Sequence, residues 1–119
     1  MEKHCGCVAE NLATMEKAKK KAFSPSDIEK VCKVFQILSE PSRFKLVLAL
    51  LNGGMCVRHL AEVSGGTISA VSHQLRVLRD NGIVVATRRG QNKEYALADE
   101  HIREMVEMGV EHLQCGDGK

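Results

Sequence analysis

Aromatic side chains make up only 3% of the 119 residues, and tryptophan is absent. The core must therefore be aliphatic, and stacking of single-stranded bases on aromatic rings is disfavoured as a mode of recognition. Long apolar runs are also missing. The longest, Leu46 to Leu51, falls far short of the roughly 18 residues that a membrane span needs. The first residues, MEKHCGCVAENL, have no apolar stretch behind their charges and do not read as an export signal. A cytoplasmic protein without membrane contact is expected. There is no Gly-rich phosphate loop and no carboxylate pair placed for acid–base work. A chain of this length makes one domain, without room for a separate catalytic cleft, so a non-enzyme is expected. The five cysteines are odd in number, and in a reducing compartment they read as thiols or metal ligands, not as a disulfide framework.

Net charge is only +2, but it is unevenly placed. Between Thr67 and Tyr95, Arg76, Arg79, Arg88, Arg89 and Lys93 outweigh Asp80 and Glu94; from Ala96 onward the acidic residues dominate. A basic middle points to a polyanionic partner, and an acidic end to a different task. Lys19-Lys20-Lys21 reads either as a solvated helix end or as a phosphate contact.

Residues 1–10 read as a tail, and 11–119 as one domain. A helix is expected from about Asn11 to Lys21, with Leu12, Met15 and Ala18 on one face. Ser24-Pro25-Ser26-Asp27 starts a second helix, whose apolar stripe is Ile28, Val31, Val34/Phe35 and Leu38, with Cys32 on it as a core residue. Pro41 suits the first turn of a third helix, Ser42 to Leu51, the buried centre, ended by Asn52-Gly53-Gly54. Two short helices follow. The first is Cys56 to Val63; after Ser64-Gly65-Gly66, Thr67 caps the next, with Ile68, Val71, Leu75 and Leu78 buried. Helix, Gly-containing turn, helix is the helix-turn-helix pattern. Strands are expected at Ile83–Thr87 and Lys93–Leu97, joined by a tip of residues 88–92, and a last helix from Asp99 to about Cys115. The fold class is mainly α with a small β-hairpin: a winged helix-turn-helix.

If that apolar face of the second short helix is buried, Ser69, Ser72, His73 and Arg76 face outward. Hydroxyls, an imidazole and a guanidinium suit base edges and phosphates in a major groove. Arg88, Arg89 and Lys93 on the wing suit phosphates or a minor groove. A solvated polar face is the plain alternative for any one of them; the joint arrangement points to DNA.

The chain resembles the ArsR/SmtB family of metal-sensing repressors. The resemblance rests on Leu38-Ser39-Glu40-Pro41-Ser42-Arg43, Met55-Cys56-Val57-Arg58-His59-Leu60-Ala61, Ser69-Ala70-Val71-Ser72-His73-Gln74-Leu75, and Asp99-Glu100-His101 with His112. It implies a winged-helix homodimer that binds double-stranded palindromic operator DNA without metal and releases it with metal.

On the last helix, His101 and His112 share a face but lie about 16 Å apart along the axis, too far for one ion to touch both. Pairing the helix antiparallel with its copy brings Asp99 and His101 of one chain to His112 and Cys115 of the other. The result is two equivalent tetrahedral sites per dimer. The resemblance implies the same inter-subunit site, with Glu or His usual where Cys115 stands; a thiolate there favours softer ions. Zn(II) is the expected metal, with Cd(II), Co(II) or Pb(II) as alternatives. Cys56 and His59, one helical turn apart, form a second candidate set with His4, Cys5 and Cys7. His112, with its second ring nitrogen turned to a carbonyl near Asn81-Gly82, is the expected relay to the DNA-reading helix. Rival readings are a sensor of Cd(II), Pb(II) or As(III) acting through the N-terminal cysteines, a thiol-based redox or metal-trafficking protein, and a winged helix that binds protein.

Overall fold

In the computed structural model, which describes the backbone of residues 9–117, the chain runs in the order α1 (Ala9–Lys20), α2 (Pro25–Leu38), α3 (Pro41–Leu50), α4 (Val57–Ser64), α5 (Ile68–Asp80), β1 (Val84–Arg89), β2 (Asn92–Leu97) and α6 (Glu100–Asp117). It divides into two compact units, Met1–Cys32 and Lys33–Lys119.

In the first unit, α1 buries none of its residues. The face expected to pack is open, with Leu12 52% and Met15 44% exposed. Cys32, expected in a core, is also exposed. It shares an apolar groove of about 250 Å³ with Phe23, Ile28 and Val31. The sequence period correctly identifies an apolar face here, but periodicity says nothing about whether one chain contains a surface to cover it.

The second unit is built on α3. Pro41 occupies its first turn, where no N–H is needed, and the Glu40 carboxylate accepts the Arg43 backbone N–H at 3.1 Å. Leu46, Val47 and Leu50 of α3 meet Leu60 of α4, Leu75 and Leu78 of α5, and Ile83 and Val84 at the hairpin start, all at most 1% exposed. Each such side chain contributes roughly 1.5–3 kcal/mol relative to exposure. Ile37 and Leu38 at the end of α2, and Ile102 and Val106 of α6, complete this cluster.

Between α4 and α5 the chain turns on Gly65, whose φ of +78° is a left-handed value that a Cβ would strain; its N–H closes on the Ala61 carbonyl at 2.9 Å. Thr67 then caps α5 by accepting the Ala70 N–H at 3.0 Å. Val71, Leu75 and Leu78 are buried as expected, but Ile68 is 50% exposed. It is the first residue of α5, and side chains there tilt back beyond the helix end. Ile68 thus lines a cleft with His59 and Tyr95 instead of entering the core.

The hairpin is antiparallel, with Val84 paired to Leu97 and Arg89 to Asn92. The five-residue tip expected at 88–92 shrinks to Gly90-Gln91, because Gly90 at φ +64° permits a two-residue turn. Arg88 and Arg89 therefore project from a strand. Met55 adds an isolated bridge to Tyr95, bonded both ways at 2.9 and 2.8 Å. The last helix starts one residue later than expected: Asp99 stands outside it and caps it, accepting the Ile102 N–H at 3.0 Å. Arg103 ties α6 back to α3 by donating to the Leu51 carbonyl at 2.7 Å. Among the described residues no helix is long and apolar enough to cross a membrane.

Candidate nucleic-acid interface and metal ligands

Burial of Val71, Leu75 and Leu78 turns the opposite face of α5 to solvent. Ser69, Ser72, His73 and Arg76 all lie exposed on it, at the one-turn spacings that put them on a single stripe. The adjacent hairpin presents Arg88, Arg89 and Lys93, also exposed. Arg89 is not free: its Nε lies 3.1 Å from Glu94 Oε1, two residues beyond its own cross-strand partner. A helix of B-DNA-groove size flanked by a cationic ribbon can seat its polar stripe on base edges while the ribbon meets the backbone.

Four residues, three at the start of α3 and one on α5, are joined in a way the spacing did not reveal. Arg43 donates through Nη1 to Gln74 Oε1 at 3.2 Å, and Gln74 Nε2 donates to Ser42 Oγ at 3.2 Å. Ser42 in turn donates to Glu40 Oε1. Arg43 Nε also donates to the Ile37 carbonyl, at 2.9 Å. The Ser42 hydroxyl, followed by the Arg43 backbone N–H, holds the Glu40 carboxyl below its ordinary range. A local signal was present in Glu40-x-x-Arg43 at the start of α3, but Gln74 lies 31 residues away in sequence.

Of the metal-ligand candidates, the structure brings Asp99 and His101 together, with Oδ1 and Nδ1 3.8 Å apart and side chains 56% and 89% exposed. His112 and Cys115 are exposed one turn apart near the other end of α6. The two pairs stay apart within one chain. Among the described residues no three His, Cys, Asp or Glu side chains gather around a point where an ion would sit. The donor chemistry still suits an ion: a carboxylate with one oxygen engaged in capping, two imidazoles and a thiol, all reachable from solvent. Cys56 is the half-buried N-cap residue just before α4, which starts one residue later than expected, and His59 follows on the first turn. Both line a cleft of about 460 Å³ with Gln91, Asn92, Lys93 and Tyr95. His4, Cys5 and Cys7 lie outside the described residues.

A helix-turn-helix with a two-stranded wing, carrying a polar stripe on its second helix, defines a winged-helix DNA-binding protein. The family model described as "Bacterial regulatory protein, arsR family" matches residues 40–85, from the cap of α3 into β1. The chain is 43% identical over 89 residues to the HTH-type transcriptional regulator NmtR of Mycobacterium tuberculosis, covering 72% of this chain and 74% of that one. It is 34% identical over 94 residues to a cadmium resistance transcriptional regulatory protein, a CadC homolog of Staphylococcus aureus, covering 78% of each. The crystal structure of the AntR antimony-specific transcriptional repressor superposes with a TM-score of 0.73 at 32% identity, over 81% of this chain and 87% of that one. The chain belongs to the ArsR family of bacterial transcriptional regulators.

Proposed function

We propose that a homodimer of this chain represses transcription by binding palindromic double-stranded operator DNA in its metal-free form. It releases that DNA when Zn(II), or a similar divalent ion such as Cd(II), Co(II) or Pb(II), fills two equivalent sites across the dimer. The observation that carries this reading is the division of one helix's donors into two end pairs, Asp99 with His101 and His112 with Cys115. They are separated by about 16 Å of helix axis, so one ion can use all four types only if a second, antiparallel α6 supplies the missing pair. Exposed Met108 and Leu113 on α6 give such a partner helix an apolar surface. A groove of about 340 Å³ lined by Phe35, Phe44, Met105 and Gly109 extends it. The names borne by the CadC homolog and AntR, one a cadmium-resistance regulator and one an antimony-specific repressor, support metal or metalloid response as the family's business.

In this reading Ser69, Ser72, His73 and Arg76 meet base edges and phosphates, while Arg88, Arg89 and Lys93 meet the backbone. The ion supplies a tetrahedral centre of O, N, N and S donors that holds the two α6 helices in one relative position. His112 uses one ring nitrogen for the ion and the other for a carbonyl near Asn81-Gly82, just past the end of α5. Half-sites one turn apart, about 34 Å, make the fit sensitive to small rotations of the two α5 helices. A coupling of about 1–3 kcal/mol between metal and DNA follows. The protein acts in the cytoplasm, on genes for metal resistance or efflux. A second reading, favoured by Cys56 and His59 sharing one cleft, adds His4, Cys5 and Cys7 as ligands for softer ions.

The test is fluorescence anisotropy of a labelled duplex taken from the region upstream of the coding sequence. The metal-free protein is expected to bind with strong salt dependence and to release the duplex as Zn(II), Cd(II) or Co(II) is added. Bound Co(II) should show thiolate charge-transfer bands if Cys115 is a ligand. Retention of the duplex at saturating levels of all three ions would sink the reading.

A further inference from the structure

Gln74 lies on the DNA-reading helix directly after His73, and glutamine there is chemically suited to adenine, whose N6 and N7 need both its amide oxygen and its amide nitrogen. Here both atoms are already engaged within the protein, the oxygen by Arg43 and the nitrogen by Ser42, each at 3.2 Å. We infer that Gln74 reads no base, and that Glu40, Ser42, Arg43 and Gln74 form a positioning device that sets how α5 sits in the groove. This rests on the DNA-binding reading above.

The hydrogen bonds run in one direction. The guanidinium donates to the amide, the amide to the hydroxyl, and the hydroxyl to the Glu40 carboxylate. A chain that starts on a cation and ends on an anion polarises every member in the same sense, which strengthens each bond. The carboxylate is itself held by the Arg43 backbone N–H, so the device closes on the residue where it began. Through Nε on the Ile37 carbonyl the same guanidinium reaches the last turn of α2. One side chain therefore joins the end of α2, the first turn of α3 and the middle of α5. Lysine, a point charge without a planar fork, cannot make the two bonds at these angles.

A directional device is needed there because the rest of the seat is not directional. Val71, Leu75 and Leu78 hold α5 by apolar burial, which is not directional and fixes the roll about the helix axis less sharply than oriented hydrogen bonds do. A binding site tolerates misplacement of only about 10–20°, and a roll of that size would move Ser69, Ser72, His73 and Arg76 together. Gln74, half-buried between the core and that stripe, is the residue through which such a roll can be stopped.

The experiment compares the parent chain with Q74A, S42A, R43K and the double variant R43K/Q74A. Each is titrated against the parent duplex and a set in which every base pair is changed in turn, with melting followed by circular dichroism. Q74A should weaken binding about tenfold, by the same factor on every duplex, and R43K/Q74A should be no weaker than the worse single variant. One base-pair position at which Q74A alone loses discrimination would show direct reading and overturn the inference. So would losses in R43K and Q74A that simply multiply. If R43K does not fold, S42A serves in its place: removal of one exposed hydroxyl should give a smaller loss, again uniform across the duplexes, and no loss counts against the device. Failure of the parent to bind any duplex would refute the DNA-binding reading instead. The device is then judged by hydrogen exchange of the α5 amides, where Q74A and S42A should accelerate the same amides, and unchanged exchange overturns it.

Discussion

Replacing Glu94 by Gln should make this protein bind DNA more tightly, although Glu94 itself need not touch DNA. In the free protein its carboxylate pairs with Arg89 Nε at 3.1 Å, with side-chain exposures of 36% and 70%. An exposed pair of this kind contributes at most about 1 kcal/mol. On binding, Arg89 has to exchange that carboxylate for a phosphate while a fixed negative charge stays beside the DNA backbone. Gln keeps the size and an acceptor oxygen but removes the charge. The gain should approach the value of the pair, up to about fivefold in affinity. If Arg89 becomes a full phosphate contact, the slope of log affinity against log salt should steepen by up to about 0.9. The assay is duplex anisotropy at a series of salt concentrations between about 50 and 200 mM, with thermal melting as a control. Melting should shift little, because a surface substitution away from the core changes stability by about 0.5 kcal/mol or less. An unchanged salt slope together with unchanged or weaker affinity would show that Glu94 does not restrain Arg89, and the account of the wing would be wrong.

Other outcomes follow from the same structure. D99N keeps an acceptor for the Ile102 N–H but loses the anionic ligand, so it should retain stability and lose metal-driven release. D99A should in addition lose about 1 kcal/mol with the cap, read by urea titration and by release of the duplex under Zn(II). L75A, at a fully buried position on α5, should destabilise the chain by about 2–5 kcal/mol in urea unfolding. H112A should still bind DNA, and full metal-driven release by this variant would rule out the relay. For Glu40, the folded carboxyl titrates below its unfolded value. Its contribution is therefore complete above the unfolded value and disappears as pH falls through the folded one. E40Q, or S42A, which removes the largest cause of the depression, should flatten the acid side of a stability–pH curve measured by denaturant.

Much of the architecture was legible because its signals are local. Ser64-Gly65-Gly66-Thr67 marks a turn through a left-handed glycine and a hydroxyl cap, and both act over three or four residues. Glu40-Pro41 likewise marks the start of α3. The β-branched run after Gly82 marks a strand, but the hairpin length depended on cross-strand register, and that moved Arg88 and Arg89 from the loop into β1. The outward face of α5 was readable from its apolar positions. The arginine on the wing that is already paired, and the glutamine on α5 that is already spoken for, were not, since each depends on a neighbour brought near by folding.

Sequence by itself determined that this chain is a helix-turn-helix with a basic wing, and that the candidate donors at the two ends of its last helix come as two separated pairs. Both conclusions rest on distances along the chain, and a helix rise turns such distances into ångströms. Only the tertiary structure decided which apolar residues find a cover. Val71 and Leu75 do, while Ile68, Cys32 and Leu12 do not, because periodicity defines a face and packing supplies its partner. It also decided that Gln74 belongs to Arg43 and Ser42. Those contacts bridge about thirty residues of chain, and no spacing rule reaches that far because the closure is made by the core between them and not by the backbone.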